Sequence, residues 1–583
     1  MKKAFVLALG VSMTTAMFAH AAPSSAQQQF EKISDEYFDQ VYFPNQPTAG
    51  TLAGYHQYDA QLEDYSRKSI DAEIAALRNF ETRIAAIPSG GIDLTTKGDR
   101  DIVLGNIRST LLMLETIRPW EKNPDLYSSG ISGSAFTLME RKFASPDDRL
   151  RSLIAREKLM PSRLDEARAN LKNPPHIYTE IAIEQLPGII SFFEHDVPAA
   201  FADAQDPALK SEFAQTNAAV IAVLNGYQAW LKSDLLAKSN GDFRIGAETF
   251  RKKLAYDEMV DLPLDKLLEI GWADLRKNQA HFKQVAKELE PGKDAGQVLE
   301  ELGEDHPAPD QLLASFRATF TSLVGFIRSH HIVTIPSDIQ PIVEETPPFM
   351  RATTFASMDT PGPYEKNATE AYFNVTLPDP SMTPTEVEGY MHSFNVGTVI
   401  STAVHEAYPG HYVQFLWVPQ APSRVRKLLG ANTDVEGWAH YCEQMMLDEG
   451  YGQPGAGAKD ERESKLLRLG QLQDALLRNA RFIVGIEMHT GTMTFDQAVE
   501  FFQKEGYQSK ETAMVETKRG TGDPTYLYYT LGKLEIMKLR EDLKKKEGAA
   551  FSLEQFHDDF LKQGFPPIAI VRQALLGDSS PAL

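Results

Sequence analysis

His405-Glu406-Ala407-Tyr408-Pro409-Gly410-His411 lies inside Thr398-Val-Ile-Ser-Thr-Ala-Val-His-Glu-Ala-Tyr-Pro-Gly-His-Tyr-Val-Gln414. Two imidazoles flank a carboxylate, and small or apolar residues precede them, as on a buried helix that presents metal ligands. In an HExxH helix the two His stand four apart on one face, and the Glu faces a metal-bound water. Here the second His is six residues on, with Pro409 in its usual place. Six residues advance about 600° around a helix, which leaves the rings about 120° apart. An unbroken helix therefore cannot bring both to one ion. Pro409 offers no N–H to the carbonyl of His405 and its ring crowds that carbonyl, while Gly410 adds backbone freedom. The sequence predicts a kinked or bulged segment that swings His411 back toward His405.

A second helix is expected through Asn432-Thr-Asp-Val-Glu-Gly-Trp-Ala-His-Tyr-Cys-Glu-Gln-Met-Met446, with Thr433 or Asp434 capping its start. Glu436, His440 and Glu443 share one face at i, i+4 and i+7. A zinc site with two His needs a third protein ligand and an open position for water, and Glu436 is the expected third ligand. Glu443 or His440 would orient the ligands from behind.

These residues resemble those of a bacterial family known as a domain of unknown function, DUF885, placed among zincin-type metallopeptidases. The likeness rests on His-Glu-x-x-Pro-Gly-His followed by Glu-Gly-Trp-Ala, then Arg481-Phe-Ile-Val-Gly-Ile-Glu-Met-His489-Thr-Gly and Pro524-Thr-Tyr-Leu-Tyr-Tyr529-Thr-Leu-Gly-Lys533. It extends over about 30–580. It implies a mainly α fold with a small β-sheet, in a gluzincin-like (zincin) architecture. It further implies one zinc ion per chain held by His405, His411 and Glu436, with Glu406 as general base.

Met1-Lys-Lys, an apolar run from Ala4 to Phe18 and Ala19-His-Ala21 have the three parts of a secretory signal. The run is too short to span a bilayer. Cleavage is expected after Ala21 with no lipid attachment, giving a periplasmic or secreted protein without stable membrane insertion. The formal charge is −21, two units more negative once Lys2 and Lys3 leave. Such a chain repels nucleic acid and anionic lipid. Cys442 is the one cysteine, so no intramolecular disulfide forms.

Residues 22–245 read as a helical N-terminal region, with helices at Ser66–Ala86, Leu94–Ile117 and Ser145–Leu171. Ser145-Pro-Asp-Asp opens the third with a proline in the first turn and acids after it. Leu150, Leu153 and Ile154 keep helical spacing, and no chemistry is assigned to this half. Gly130-Ile-Ser-Gly-Ser134 is one residue off a nucleophile elbow and lies in no strand-turn-helix context, which excludes a serine hydrolase. Residues 246–380 read as helices at about 246–289 and 309–330, followed by three short strands: His331–Ile335, Thr353–Ser357 and Ala371–Leu377. Tyr372–Thr376, with Asn374 at its centre, is the candidate edge strand for pairing with a peptide main chain.

Residues 381–583 carry the chemistry. A helix is expected at about 459–488 with Leu466, Leu469, Leu476 and Ile483 inward. Arg481 near its end either grips a substrate carboxylate or caps the helix, and capping is the favoured reading. His489 either bonds the reacting carbonyl, as the family likeness implies, or is an ordinary polar helix-end residue. Tyr507, Tyr526, Tyr528 and Tyr529 form a run of phenols. Tyr529, in the family-like stretch, is the candidate oxyanion donor, against a simple core role, and Tyr526 is a candidate substrate contact. Arg519, expected in a Gly-flanked loop, is the better candidate for a peptide carboxylate.

The reading is an exported zinc-dependent peptidase of short peptides. Its rivals are a non-catalytic metal- or peptide-binding relative, and a metal-dependent hydrolase of non-peptide amides or esters.

Overall fold

The computed structural model describes residues 24–88, 90–347, 350–351, 354–578 and 580–583. The signal segment, residues 1–21, and Thr353 at the head of the second expected strand lie outside them. The described residues are mainly helical with one small sheet and a two-stranded ribbon at 453–458. No described helix is long and apolar enough to cross a membrane.

In the N-terminal half the caps follow the sequence. Ser66 accepts from Ser69 N and opens Arg67–Ala85, and Ser145 accepts from Asp148 N and opens Pro146–Asn170. Leu94–Leu112 starts at the Asp93 cap and runs on through a π-turn at Met113–Ile117. Leu150, Leu153 and Ile154 are core. The core around Phe30, Leu77 and Val103 also takes in Val425, Leu429 and Ile570 from far along the chain. Arg426 Nε donates to Asp99 Oδ1 at 2.8 Å inside this junction. The first helices thus pack as a buttress against the C-terminal ones.

The helices that shape the site are α1 (Leu264–Leu289), α2 (Ala295–Gly303), α3 (Leu312–Ser329), α4 (Pro384–Met391) and α5 (Val396–Glu406). They continue with α6 (His411–Trp417), α7 (Asn432–Asp448), α8 (Glu461–Thr490), α9 (Lys510–Gly522) and α10 (Tyr528–Glu547). Leu469, Leu476 and Ile483 of α8 are buried, and Leu466 packs partly exposed beside them. Helices α7 and α10 approach backbone to backbone: a Cβ on Gly437 would stand 2.6 Å from Gly532 Cα, so that contact needs glycine on both sides.

The sheet has strands β1 (Ile342–Glu345), β2 (Ala356–Asp359) and β3 (Tyr372–Val375), in the order β1-β3-β2. β3 pairs parallel with β1, Ile342 opposite Tyr372, and antiparallel with β2, Ala356 opposite Val375. Phe373 turns into the core against Phe316 and Phe320 of α3, with centroids 5.2 and 6.2 Å apart.

Two expectations are corrected here. Residues 331–335 form no strand, because side chains take the place of a ladder. His557 Nδ1 donates to Ile332 O, Trp417 Nε1 donates to Thr334 O, and Thr334 N donates to Asp558. Tyr372–Val375 is the central strand, paired on both sides, so it has no free edge for a peptide. Asn374 is buried, with its amide 3.5 Å from Ser357 Oγ.

Candidate active site

Helix α5 starts where Asn395 Oδ1 accepts from Gly397 N and Thr398 N, and ends at Glu406. The chain then turns through a cis Tyr408-Pro409 peptide, and α6 restarts at His411. Gly410 N donates to Val404 O at 2.9 Å, folding the chain back on the end of α5. A Cβ on Gly410 would lie 1.8 Å from His405 O, so no other residue fits this close approach. Trp438 of α7 donates its indole N–H to Pro409 O at 2.9 Å and ties the bend to the next helix. The two imidazoles meet edge to face, centroids 4.8 Å apart at 86°.

Glu436 reaches both from α7. Its Oε2 stands 3.4 Å from His405 Nε2 and 3.4 Å from His411 Nε2, and it makes no hydrogen bond. The three ligand atoms lie within 4.8 Å of one another. Two atoms each about 2.05 Å from a tetrahedral zinc stand about 3.3 Å apart, so these separations suit a shared ion. Burial alone would raise the Glu436 carboxyl, yet His405 and His411 hold it well below the usual range.

Two turns further along α7, Glu443 accepts from His405 Nδ1 at 2.7 Å through Oε1 and from His440 Nδ1 at 3.0 Å through Oε2. A carboxylate can only accept, so Nδ1 of His405 carries a proton and its Nε2 faces Glu436 Oε2. In the neutral ring Nε2 and Oε2 are two acceptors 3.4 Å apart, a contact that requires a proton or a metal ion between them. Burial opposes a charge on His405, but Glu436 and Glu443 lift its pKa to about 9. His440 sits one step behind, fully buried, and burial lowers it to about 4.

Arg478 of α8 forms an ion pair with the same Glu443 Oε1 at 3.0 Å and pairs with Asp474 at 3.7 Å. Neither residue was expected at the site. Asp474 and Arg478 are charges four apart, but α8 also buries Gln471, Asn479, Arg481 and His489, so spacing alone does not single them out. Burial raises Asp474 to about 6, and Arg478 offsets part of that rise.

Tyr529 of α10 stacks on His405, centroids 6.3 Å apart at 27°. Its hydroxyl accepts from Arg519 Nη2 at 2.9 Å, which leaves its own proton free to donate. Burial raises its pKa, with Arg519 opposing. These groups open into a cavity of about 1060 Å³. His405, Glu406, His411, Glu436, Arg519 and Tyr529 line it. Residues 354–358, including most of β2, line it as well.

Residues 47–575 match the family described as "Bacterial protein of unknown function (DUF885)". The chain belongs to this family. One solved structure similar to this DUF885 chain is a candidate lipoprotein of unknown function from Shewanella oneidensis, 27% identical with a TM-score of 0.75. The match covers 95% of this chain and all of that one. A candidate lipoprotein from Colwellia psychrerythraea shares the fold at 19% identity and a TM-score of 0.73, over 95% of this chain and 99% of that one. No curated protein matches the sequence.

Several residues of the DUF885 chain lie elsewhere than expected. Arg481 lines the cavity, but it holds Glu516 through two bonds of 2.6 and 2.8 Å, so it caps no helix end and is not free for a substrate carboxylate. Arg519 sits in the last turn of α9 rather than in a loop. His489 is buried with Nε2 donating to Gly520 O at 2.8 Å, and Tyr526 is buried against Gly485 and Gly520. Both are away from the cavity wall, since the faces of α8 and of the turn before α10 that carry them pack on each other. The start of α7 is capped by neither Thr433 nor Asp434: Glu258 accepts from Asn432 N at 3.2 Å and from Thr433 N at 2.8 Å.

Proposed function

We propose that this protein is an exported zinc-dependent peptidase of short peptides, with a gluzincin-like arrangement of its site. The observation that carries it is the unbonded Glu436 Oε2 equidistant from two imidazole nitrogens, with one imidazole fixed from behind by Glu443. The donor set, two His and one carboxylate, is that of a catalytic zinc with an open position. Bound there, zinc would polarise a scissile carbonyl and lower the pKa of water toward about 7.

The residues of the chain do the rest. Glu406 takes the proton of the attacking water and hands it to the leaving amine. The Tyr529 hydroxyl, its oxygen engaged by Arg519, donates to the carbonyl oxygen as charge builds there. Arg519 has further N–H groups for a peptide carboxylate. The outer edge of β2, unlike β3, borders the cavity and can pair with a peptide main chain. Export follows from the signal-like residues 1–21 and fits the two lipoprotein-like relatives.

Glu406→Gln tests this directly. The variant should retain zinc and lose at least about 100-fold in peptide turnover, the usual worth of a general base. A variant that cleaves a mixed peptide pool as fast as the parent, followed by mass spectrometry, would remove Glu406 from the mechanism.

A further inference from the structure

A second cluster stands at the rim of the same cavity. His306 lies in the connection between α2 and α3, Glu388 on α4, and His392 one turn later. His306 Nε2 is 3.3 Å from Glu388 Oε1, and His392 Nε2 is 3.8 Å from that same oxygen. The three ligand atoms all fall within 4.8 Å of one another. The 3.3 Å separation matches the spacing of about 3.3 Å between two ligand atoms on a tetrahedral zinc.

The tautomer of His306 sharpens the point. Its Nδ1 lies 2.9 Å from Pro307 O, and a carbonyl can only accept, so Nδ1 carries the proton. That bond turns Nε2 toward the carboxylate, so that in the neutral ring its lone pair faces Glu388 Oε1 at 3.3 Å. Backbone carbonyls orient metal-binding imidazoles in this way. His306 is nearly buried, its side chain 10% exposed, whereas Glu388 is 61% exposed and leaves room for solvent in the remaining coordination positions. Gly303 lets α2 lie tight against His392, since a Cβ there would come within 3.0 Å of the ring.

We infer that His306, Glu388 and His392 form a second divalent-metal site, selective for zinc-like ions, that ties the end of α4 to the connection after α2. His392 and Gly303 both line the cavity, so an ion here would set the position of its rim rather than take part in bond cleavage. The inference does not rest on the catalytic reading.

The test is zinc stoichiometry on the full chain after chelator treatment. Zinc chloride is titrated calorimetrically and bound metal is measured after desalting. The parent should bind two ions, and the His306→Gln/His392→Gln double variant one. Adding His405→Ala and His411→Ala to that variant should leave none. Glu388→Gln, a single exposed change, should weaken the rim ion at least about tenfold. Far-ultraviolet circular dichroism confirms that each variant is folded. If His306→Gln/His392→Gln binds as much zinc as the parent, the site is overturned and the cluster is a proton-bridged ion pair. If the His405→Ala/His411→Ala chain loses no zinc while the rim variants do, the rim site stands and the catalytic reading falls.

Discussion

Glu443 serves three partners at once: it accepts from His405 and His440 at 2.7 and 3.0 Å and pairs with the Arg478 guanidinium at 3.0 Å. Burial would raise its carboxyl, but Arg478 and His440 hold it far below the usual range, so it stays charged. A Gln in its place offers one oxygen and turns an amide N–H toward a donor. Glu443→Gln should therefore weaken zinc binding about 10- to 100-fold without unfolding the chain, measured by competition with a chromophoric chelator. Unchanged affinity would mean that His405 needs no such support. For Tyr529→Phe, kcat should fall about 100-fold with little change in KM, because the hydroxyl acts on charge that exists in the transition state. His405, His411 and Glu436 were legible in the sequence since their spacing and the intervening proline are local facts. Arg478, Asp474 and the burial of His489 were not, because they depend on which face of α8 meets the cavity.

At the scale of elements, α7 carries two of the site carboxylates, Glu436 and Glu443, and its start is held by a residue from a distant segment. Glu258 is buried, and burial raises its pKa to about 7. It accepts two backbone N–H groups and the Thr433 hydroxyl. Glu258→Ala would leave those donors buried without partners and should cost about 1–3 kcal/mol, read from urea unfolding of the full chain. A loss below about 0.5 kcal/mol would show that water replaces the cap. The helix itself was readable from its period, but its cap was not. Asp434, the local candidate, is buried instead against Gln414, whose Nε2 lies 3.1 Å from Asp434 Oδ1. The strand assignment divided in the same way. Composition marked residues 372–376 as β, yet nothing local could say that β3 would gain a neighbour on each side.

The molecule as a whole is acidic, and several of its acids are not on the surface. Glu157 and Glu258 are pushed by burial to about 8 and 7. Glu157 isolates the consequence, because it lies on Pro146–Asn170, a helix that carries none of the candidate metal ligands, and among the described residues its hydrogen-bond partner is the Thr216 hydroxyl of Pro207–Trp230. Its folded pKa stands above the ordinary 4.5, so the native chain keeps a proton that the unfolded chain has released. The stabilisation from that proton is complete below about pH 4.5, declines as pH rises and is gone above about pH 8. Glutamine has nearly the shape of the protonated acid and never ionises. Glu157→Gln should thus match the parent near pH 4.5 and exceed its stability by about 1–4 kcal/mol at pH 8. Urea unfolding of both proteins at the two pH values measures the difference. A gap that is the same at both would mean that Glu157 is already ionised in the folded protein, with water reaching it between the two helices.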